Sequence, residues 1–372
     1  MVRVLGLDIG GVNIKAALIE TENNTIKELR TVIEYFPIWK VGKEKLPSVL
    51  IKLRDGLSSF ELNAVGVTMT AELSDVYLSK REGVNHIIDS LEKVFGDTQV
   101  HILDVEASLI TTSEARTRPL DVAAANWSAT GWLGSQIVEN GILIDVGSTT
   151  TSIIPIIANQ IVAQGKSDLD KLVNGELIYT GALRTNIATI VGSIPIRGKV
   201  ARVSSEFFAS SGDVHLILGN IQDSDYTVET ADGRGKTKEE AMSRIAKVVC
   251  ADTEMLTRDE IFDIARHIEE RQIIQIIDGV EQVCNRMNLT VPTDKISLVV
   301  AGLGRNFLAK KATQRLIRNF QLRKSALSTG FDRVIDLGEI MGSEVAVLSS
   351  SFAIALMTVN KLIGEHVRWL KQ

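Results

Sequence analysis

The chain has 372 residues and a mass of 40.6 kDa. At about 150 residues per domain, that length calls for two or three domains or one large α/β unit in two lobes. Hydrophobic residues make up 45% and charged residues 23%, enough apolar material for a core, which excludes disorder as the main state. With 41 Lys and Arg against 46 Asp and Glu, the net charge of −5 argues against nucleic acid as the main partner, because a phosphate backbone demands a basic face.

Two cysteines, Cys250 and Cys284, exclude a disulfide scaffold and read as buried thiols in a reducing cytoplasm. The short apolar N-terminus is broken by Asp8 and is no signal peptide. The uncharged run Val345 to Asn360 falls short of the roughly 20 apolar residues that span a bilayer, and it carries Ser349, Ser350 and Ser351. A buried helix is expected there, and no membrane partner.

In chain order, residues 2–9 form an apolar β-rich run ending in Asp8, followed by Gly10 and Gly11, and residues 14–20 resume the run. This reads as a strand, a glycine-rich turn and a second strand. Residues 64–69 and 99–103 read as buried strands. Ile87, Ile88, Leu91, Val94 and Phe95 recur at helix spacing. Residues 120–133 are Ala-rich and read as a helix.

The opening pattern then returns. Over residues 141–158 an apolar strand again ends in Asp-x-Gly, passes a small-residue turn and continues as an apolar strand. Asp8 maps to Asp145 and Gly10 to Gly147, at the same offset of 137 residues. Two similar lobes, each opening with the same hairpin, are expected. Further on, residues 165–235 are rich in Gly, Ser and Thr, a composition that lines sites or surfaces. Residues 237–249 read as a helix. Thr257 and Glu260 form a capping box opening a helix to about residue 288. A strand at 296–301 leads into Gly302-Leu303-Gly304 and a basic amphipathic helix from about 306. The last helix is expected from about Ser343 to Trp369.

A strand that ends in Asp-x-Gly-Gly has a chemical use. Glycines let a turn approach a ligand closely, and turn N–H groups can then face an anion. The carboxylate just before the turn can hold a metal ion or its bound water, and Lys15 can neutralise phosphate charge. A plain hairpin with a solvated Asp is the alternative for one copy, and the second copy weakens it. In that copy Ser148, Thr149, Thr150 and Thr151 replace the glycines and the lysine, so hydroxyls and amides take over. If the lobes face each other, Asp8 and Asp145 flank one cleft with Mg2+ between them. Gly302 and Gly304 read either as a ligand site at a helix N-terminus, where Arg305 adds a cation, or as a close strand-to-helix turn. Thr68, Thr70, Glu72 and Asp75 follow a buried strand as a polar cluster at a strand end, or else as a helix cap using Thr70 or Ser74. Asp104 and Glu106 are further acid/base or metal candidates. Nucleophile-elbow, P-loop and zincin motifs are absent, the cysteines lack zinc spacing, and the five scattered His residues default to structural or surface roles.

The two Asp-x-Gly hairpins and the late Gly-x-Gly resemble the actin, sugar-kinase and Hsp70 ATPase superfamily. That resemblance implies an α/β fold of two ribonuclease-H-like lobes around a central phosphate cleft, residues 1–138 and 139–372, with a substrate-side segment inserted at about 165–290. A narrower resemblance covers nearly the whole chain. It runs through Leu7–Ala17, Met69–Asp75 with Glu82-Gly83-Val84, Ala125-Asn126-Trp127, Asp145–Thr151, Gly175–Gly181 with Arg184-Thr185, and Thr230–Thr237. These stretches are similar to the hydantoinase/oxoprolinase-related proteins of tetrahydromethanopterin-linked one-carbon metabolism. In archaea that group includes the ether-forming enzyme of methanofuran biosynthesis.

The resemblance implies a Mg2+-dependent transferase of the cytoplasm that condenses 5-(aminomethyl)-3-furanmethanol diphosphate with γ-glutamyltyramine and releases pyrophosphate. Asp8, Asp145 and Lys15 would be catalytic, with both aspartates holding Mg2+. Gly10, Gly11, Asn13, Gly147, Ser148, Thr149, Thr150, Gly302 and Gly304 would bind phosphate. Glu72 or Asp75 would take the phenol proton, Arg184 or Arg234 would hold the glutamyl carboxylates, and Thr68, Thr70 and Thr180 would orient the substrates. The partners are a diphosphate ester and a phenolic amine acceptor, and assembly of identical chains is compatible with the sequence. One departure from the sugar kinases is Val12, which has no hydroxyl to offer a γ-phosphate. An ATP-dependent kinase or hydantoinase-like hydrolase is the alternative reading. A non-enzymatic nucleotide switch ranks last, for want of a partner-binding domain.

Overall fold

Burial on both faces of the first strands sets the architecture. The structure, a computed structural model, describes residues 1–287, 291, 295–322 and 331–369. Strands β1 (Val2–Ile9), β2 (Asn13–Glu22), β3 (Thr25–Tyr35), β4 (Ala64–Met69), β5 (Gln99–Leu103) and β6 (Leu109–Thr111) form one sheet in the order β3-β2-β1-β4-β5-β6. The hairpins β1–β2 and β2–β3 are antiparallel, whereas β1, β4 and β5 run parallel. Successive side chains point to opposite faces. One face carries Leu5, Leu7, Ile9, Ile14, Ala16, Leu18, Val65, Val67 and Met69, all within one buried core cluster. The helices Leu46–Leu57 and Lys80–Phe95 add Leu50, Leu53, Val84, Ile87, Ile88 and Leu91 to that cluster. The second of these starts where the Ser79 hydroxyl accepts the Glu82 N–H and stops at Gly96, whose φ of 54° ends the helical path.

The opposite face is glycine-rich for a packing reason. Gly6 and Gly66 are direct neighbours on β1 and β4, with Ala17 beside Gly6 on β2. The C-terminal helix Ser349–Ile363 lies on them. A Cβ on Gly6 would stand 2.2 Å from the Ser351 carbonyl oxygen, and one on Gly66 would stand 2.2 Å from the Thr358 hydroxyl. Every residue from Ser349 to Val359 is buried, as the uncharged run predicts, and no helix among the described residues is long and apolar enough to cross a membrane.

The second sheet repeats the first. Strands β7 (Gly141–Val146), β8 (Thr151–Ile157), β9 (Gln160–Ile161), β10 (Leu177–Ile178), β13 (Ser297–Ala301) and β14 (Val334–Asp336) give the order β10-β8-β7-β13-β14, with β9 beside β8. This is the order β3-β2-β1-β4-β5 in a second copy. A separate hairpin joins β11 (Ser193–Ile196) to β12 (Lys199–Arg202). Helices Lys238–Lys247 and Arg258–Met287 begin at Thr237 and Thr257, each hydroxyl accepting an N–H from the Glu three residues on.

Several expectations are corrected. The chain divides into two compact units, Met1–Gly141 with Ile154–Val173 and Asp336–Gln372, and Ile142–Ile153 with Asn174–Ile335. The division therefore does not fall once at 138/139. Residues after 335 return to the first unit because the C-terminal helix buries itself on β1, β2 and β4. The segment expected as an insertion at about 165–290 gives its residues up to Val173 to the first unit and the rest to the second. The Ala-rich stretch is broken, with helices at Pro119–Val122 and Asn126–Ser135. Between them Ala123 is extended and bridges Met69, and Ala124 has a φ of 53°. Cys284 is buried as expected, but Cys250 is exposed at the end of a helical turn with φ 58°. The final helix is split into Ser343–Val347 and Ser349–Ile363.

Overpacking under the C-terminal helix gives a direct check. Gly6→Ala should lower unfolding stability by about 1–3 kcal/mol. Gly56→Ala, in a helix with nothing within 4 Å of the new methyl, should raise it by about 0.5–1 kcal/mol. Urea melts of the three proteins make the comparison.

Candidate functional site

Both Asp-x-Gly turns have the same internal geometry. In the first unit the Gly10 N–H donates to the Asn13 carbonyl at 3.1 Å, and in the second the Gly147 N–H donates to the Thr150 carbonyl at 2.9 Å. The outward carbonyls are consumed: Gly11 and Val12 accept from Ile38 and Phe36, and Ser148 accepts from Leu183 and Arg184. Among the described residues the N–H groups of Gly11, Val12, Ser148 and Thr149 find no acceptor. Two short runs of unpaired amides are an anion-binding feature. A side chain at position 10 would stand 2.7 Å from the Asn13 carbonyl oxygen, so glycine there is a steric requirement of the turn.

Around the first turn, cross-strand register gathers Asp8, Lys15 and Thr68 on the glycine-rich face of the sheet. Asp8 is 4% exposed. Its Oδ2 accepts from the Ser350 hydroxyl at 2.5 Å, and its Oδ1 is buried with no hydrogen-bond partner. Thr68 Oγ1 and Asn13 Oδ1 are likewise buried and unpartnered. Lys15 Nζ donates to the Val347 carbonyl at 3.0 Å. Thr70 borders the turn, its hydroxyl 3.5 Å from where a Gly10 Cβ would be, and its N–H is bound to Ile9. The hydroxyl caps no helix.

Glu72 and Asp75 separate here. Asp75 is exposed. Glu72 is 1% exposed, and neither carboxyl oxygen reaches a hydrogen bond. Burial pushes its carboxyl up to about 7, against a smaller downward pull from the nearby N–H groups of Glu72 and Ala124 and from the Lys80 cation. The helix at Gly83 presses on it, since a Cβ there would lie 2.5 Å from the Glu72 Cα. Asp104 is structural: its Oδ1 accepts the N–H groups of Glu106 and Ser108 in a tight turn.

In the second unit, Arg184 reaches the turn itself, with Nη1 donating to the Thr149 hydroxyl at 3.1 Å. That places a cation where the second turn has no counterpart of Lys15. Thr180 is fully buried and buttresses the turn from behind. Its carbonyl accepts from Thr151 Oγ1 at 2.7 Å, and its hydroxyl accepts from Gln272 Nε2 at 3.0 Å. A Cβ on the adjacent Gly181 would be 2.5 Å from the Thr149 backbone. Behind Gln272 stands His215, fully buried, with Nε2 3.1 Å from Gln272 Oε1 and Nδ1 3.1 Å from Asn220 Nδ2. Burial pushes its imidazole down to about 3, so the ring is neutral, and the network assigns its proton to Nε2. Neither residue carries a sequence motif.

Gly302 and Gly304 fit the packing alternative. With φ 84°, Gly302 lies so close to β7 that a Cβ would be 2.3 Å from Asp145 Oδ1, and the Gly304 N–H donates to the Val146 carbonyl at 2.9 Å. Arg305 turns inward, 4% exposed, onto the Gly302 carbonyl. Arg234 joins a different group. Its exposed side chain lies 3.9 Å from Asp232, on a loop built over the fully buried Arg244, which pairs with Asp213 at 2.7 Å and Asp232 at 3.1 Å. A surface cavity of about 730 Å³, lined by Arg54, Phe60, Asn63 and Gln99, lies at the N-terminal ends of β4 and β5 and contains none of these residues.

Two sheets of one strand order, each opening on an Asp-x-Gly turn, define the α/β fold of the actin, sugar-kinase and Hsp70 class. The nucleotide-free structure of an acetone carboxylase shares it, with a TM-score of 0.54 and 10% identity over 95% of this chain and 70% of that one. The hydantoinase/oxoprolinase family model matches residues 63–329, and the chain belongs to that family. It is 37% identical over 362 residues, 97% of its length and 99% of the relative's, to a (4-{4-[2-(γ-L-glutamylamino)ethyl]phenoxymethyl}furan-2-yl)methanamine synthase of Methanocaldococcus jannaschii. A synthase of the same name from Methanococcus vannielii is 33% identical over 231 residues, 62% of this chain and 96% of that one.

Glu72 makes stability pH-dependent in a stated direction. Its folded-state pKa lies above the unfolded value near 4.5, so the folded chain holds the proton longer. Its contribution is fully present below about pH 4.5 and is lost as pH rises through about 7. Glu72→Gln should therefore gain melting temperature relative to the parent at pH 7.5 but not at pH 4.5, as scanning calorimetry at the two pH values will show.

Proposed function

We propose that this chain is the Mg2+-dependent transferase of methanofuran biosynthesis that joins a furylmethyl diphosphate to γ-glutamyltyramine. The observation that carries the reading is the near full-length match to the M. jannaschii synthase. The two turns with unpaired amides, which suit a diphosphate, support it. In the reaction the bond between the furylmethyl carbon and the diphosphate oxygen breaks, the tyramine phenol oxygen bonds to that carbon, and pyrophosphate leaves with the electron pair. The phenol proton passes to a base.

The residues fit these needs. The buried, unpartnered oxygens of Asp8 (Oδ1), Thr68 (Oγ1) and Asn13 (Oδ1) are donors of the kind that suit a hard cation. Among the described residues no three or more His, Cys, Asp or Glu gather to hold a metal. That matches an ion held by one or two carboxylates and the substrate's own phosphates, as Mg2+ prefers. Asp8 in the first unit and Asp145 in the second are each a proposed holder, and when bound Mg2+ would neutralise charge on the departing pyrophosphate. At the first turn the amides of Gly11 and Val12 suit phosphate oxygens, with Lys15 supplying positive charge, and at the second the amides of Ser148 and Thr149 do so with Arg184. Arg184 is thereby reassigned from the glutamyl end of the acceptor to the diphosphate, on its contact with Thr149. Glu72 is the better base of the two carboxylates, because a pKa of about 7 lets it accept a proton near neutrality. We place the enzyme in the cytoplasm, acting on small molecules.

Phosphorus NMR with Mg2+ tests the assignment. A furylmethyl diphosphate should release inorganic pyrophosphate only when γ-glutamyltyramine is present, with ATP left intact in a parallel tube. Formation of ADP or phosphate with the ester untouched would move the chain to an ATP-dependent reaction. Asp8→Asn and Asp145→Asn should each slow release on the order of 100-fold while melting like the parent.

A further inference from the structure

The run Ser349-Ser350-Ser351 sits inside an otherwise apolar, fully buried helix, and the three hydroxyls do different things. Ser351 bonds back to the Leu348 carbonyl at 3.0 Å, the ordinary behaviour of a helical serine. Ser349 lies 3.4 Å from the Thr130 hydroxyl. Ser350 leaves the helix and donates to Asp8 Oδ2 at 2.5 Å, across 342 residues of sequence. One turn earlier, the Val347 carbonyl holds Lys15 Nζ at 3.0 Å. The same short segment therefore fixes the two charged side chains nearest the first turn, Asp8 and Lys15. Gly6 and Gly66 make this possible by letting the helix come down to the sheet.

From this we infer that Ser350 is a positioning residue of the reaction. The inference rests on the transferase reading for what Asp8 does, and on the geometry for how Asp8 is held. A carboxylate has two oxygens and a free torsion. By occupying Oδ2 in a short charge-assisted bond, Ser350 fixes the carboxylate plane and leaves Oδ1 as the one oxygen presented, buried and without a partner. The helix starts at Ser349 and no side chain caps it, so its N-terminal turn also lies beside the carboxylate. Outer partners that orient a metal-binding carboxylate are worth 10–100-fold in affinity or rate. Val347 contributes through its backbone, so Ser350 is the side chain that mutation can test.

The experiment uses the full chain with Ser350→Ala and Ser350→Thr. Calorimetric titration with pyrophosphate, with and without Mg2+, reads binding without turnover. Ser350→Ala should weaken Mg2+-dependent pyrophosphate binding about 10–100-fold and leave Mg2+-free binding within about 3-fold. In the NMR assay it should raise the Mg2+ concentration for half-maximal rate without changing the KM for the acceptor. Ser350→Thr, which keeps the hydroxyl, should restore most of both. If Ser350→Ala does not fold, Ser350→Cys, similar in size but a weak donor, takes its place. Equal Mg2+-dependent binding by parent and Ser350→Ala overturns the inference even if the parent releases pyrophosphate. Weakened binding in Ser350→Ala alongside a parent that releases none would uphold it and defeat the transferase assignment instead.

Discussion

The close approach of the C-terminal helix to the first sheet is the constraint on which the first unit depends. Gly6 and Gly66 lie side by side with no side chains, and the helix backbone fills the space. Two positions further along the same strands and on the same face, the paired residues become Asp8 and Thr68, with Lys15 beside Asp8. The face thus changes from bare backbone to polar side chains within one pleat repeat, at the point where the helix begins. Packing and chemistry are continuous: the contact that buries the helix also delivers Ser350 to Asp8 and the Val347 carbonyl to Lys15.

The second unit reaches a similar turn by other means. Its hydroxyl-bearing turn is buttressed from behind by Thr180 and Gly181, which Gln272 and the neutral His215 hold in place. Its cation, Arg184, comes from the segment after β10 rather than from the second strand of the hairpin. The Gly302–Gly304 turn packs against Asp145 and Val146 on the other side. The repeated element is the backbone turn, and its surroundings are built separately in each copy. An unpaired N–H is a property of the turn, whereas the groups that hold the turn rigid are supplied by whatever packs around it.

What the sequence disclosed follows from the range of the forces involved. Strand, turn and capping patterns are local, so both Asp-x-Gly hairpins, the strands at 64–69 and 99–103, and the capped helix after Thr257 were all readable. The repeat pointed to two similar lobes, and the fold class followed from the resemblance that its motifs carry. Tertiary geometry was hidden. No local signal distinguishes Glu72, sealed under Gly83, from Asp75, three residues on and in water. None separates Arg184, on the turn, from Arg234, on a loop organised by Arg244. The Ala-rich run read as one helix because alanine favours helices, but Ala123 is claimed by a bridge to Met69. Three serines in an apolar helix were visible as an interruption, and only the fold shows which of them faces a carboxylate.

The split composition of the first unit bears on how the molecule is made. Its sheet is complete once β6 has formed, yet one face, with Gly6, Gly66 and Ala17 bare, waits for a helix more than two hundred residues downstream. Synthesis is vectorial, so that face remains uncovered while the entire second unit emerges from the ribosome and folds. Asp8 lacks its serine over the same interval. The first Asp-x-Gly turn is thus written first and finished last, when the helix that carries Ser350 docks on it.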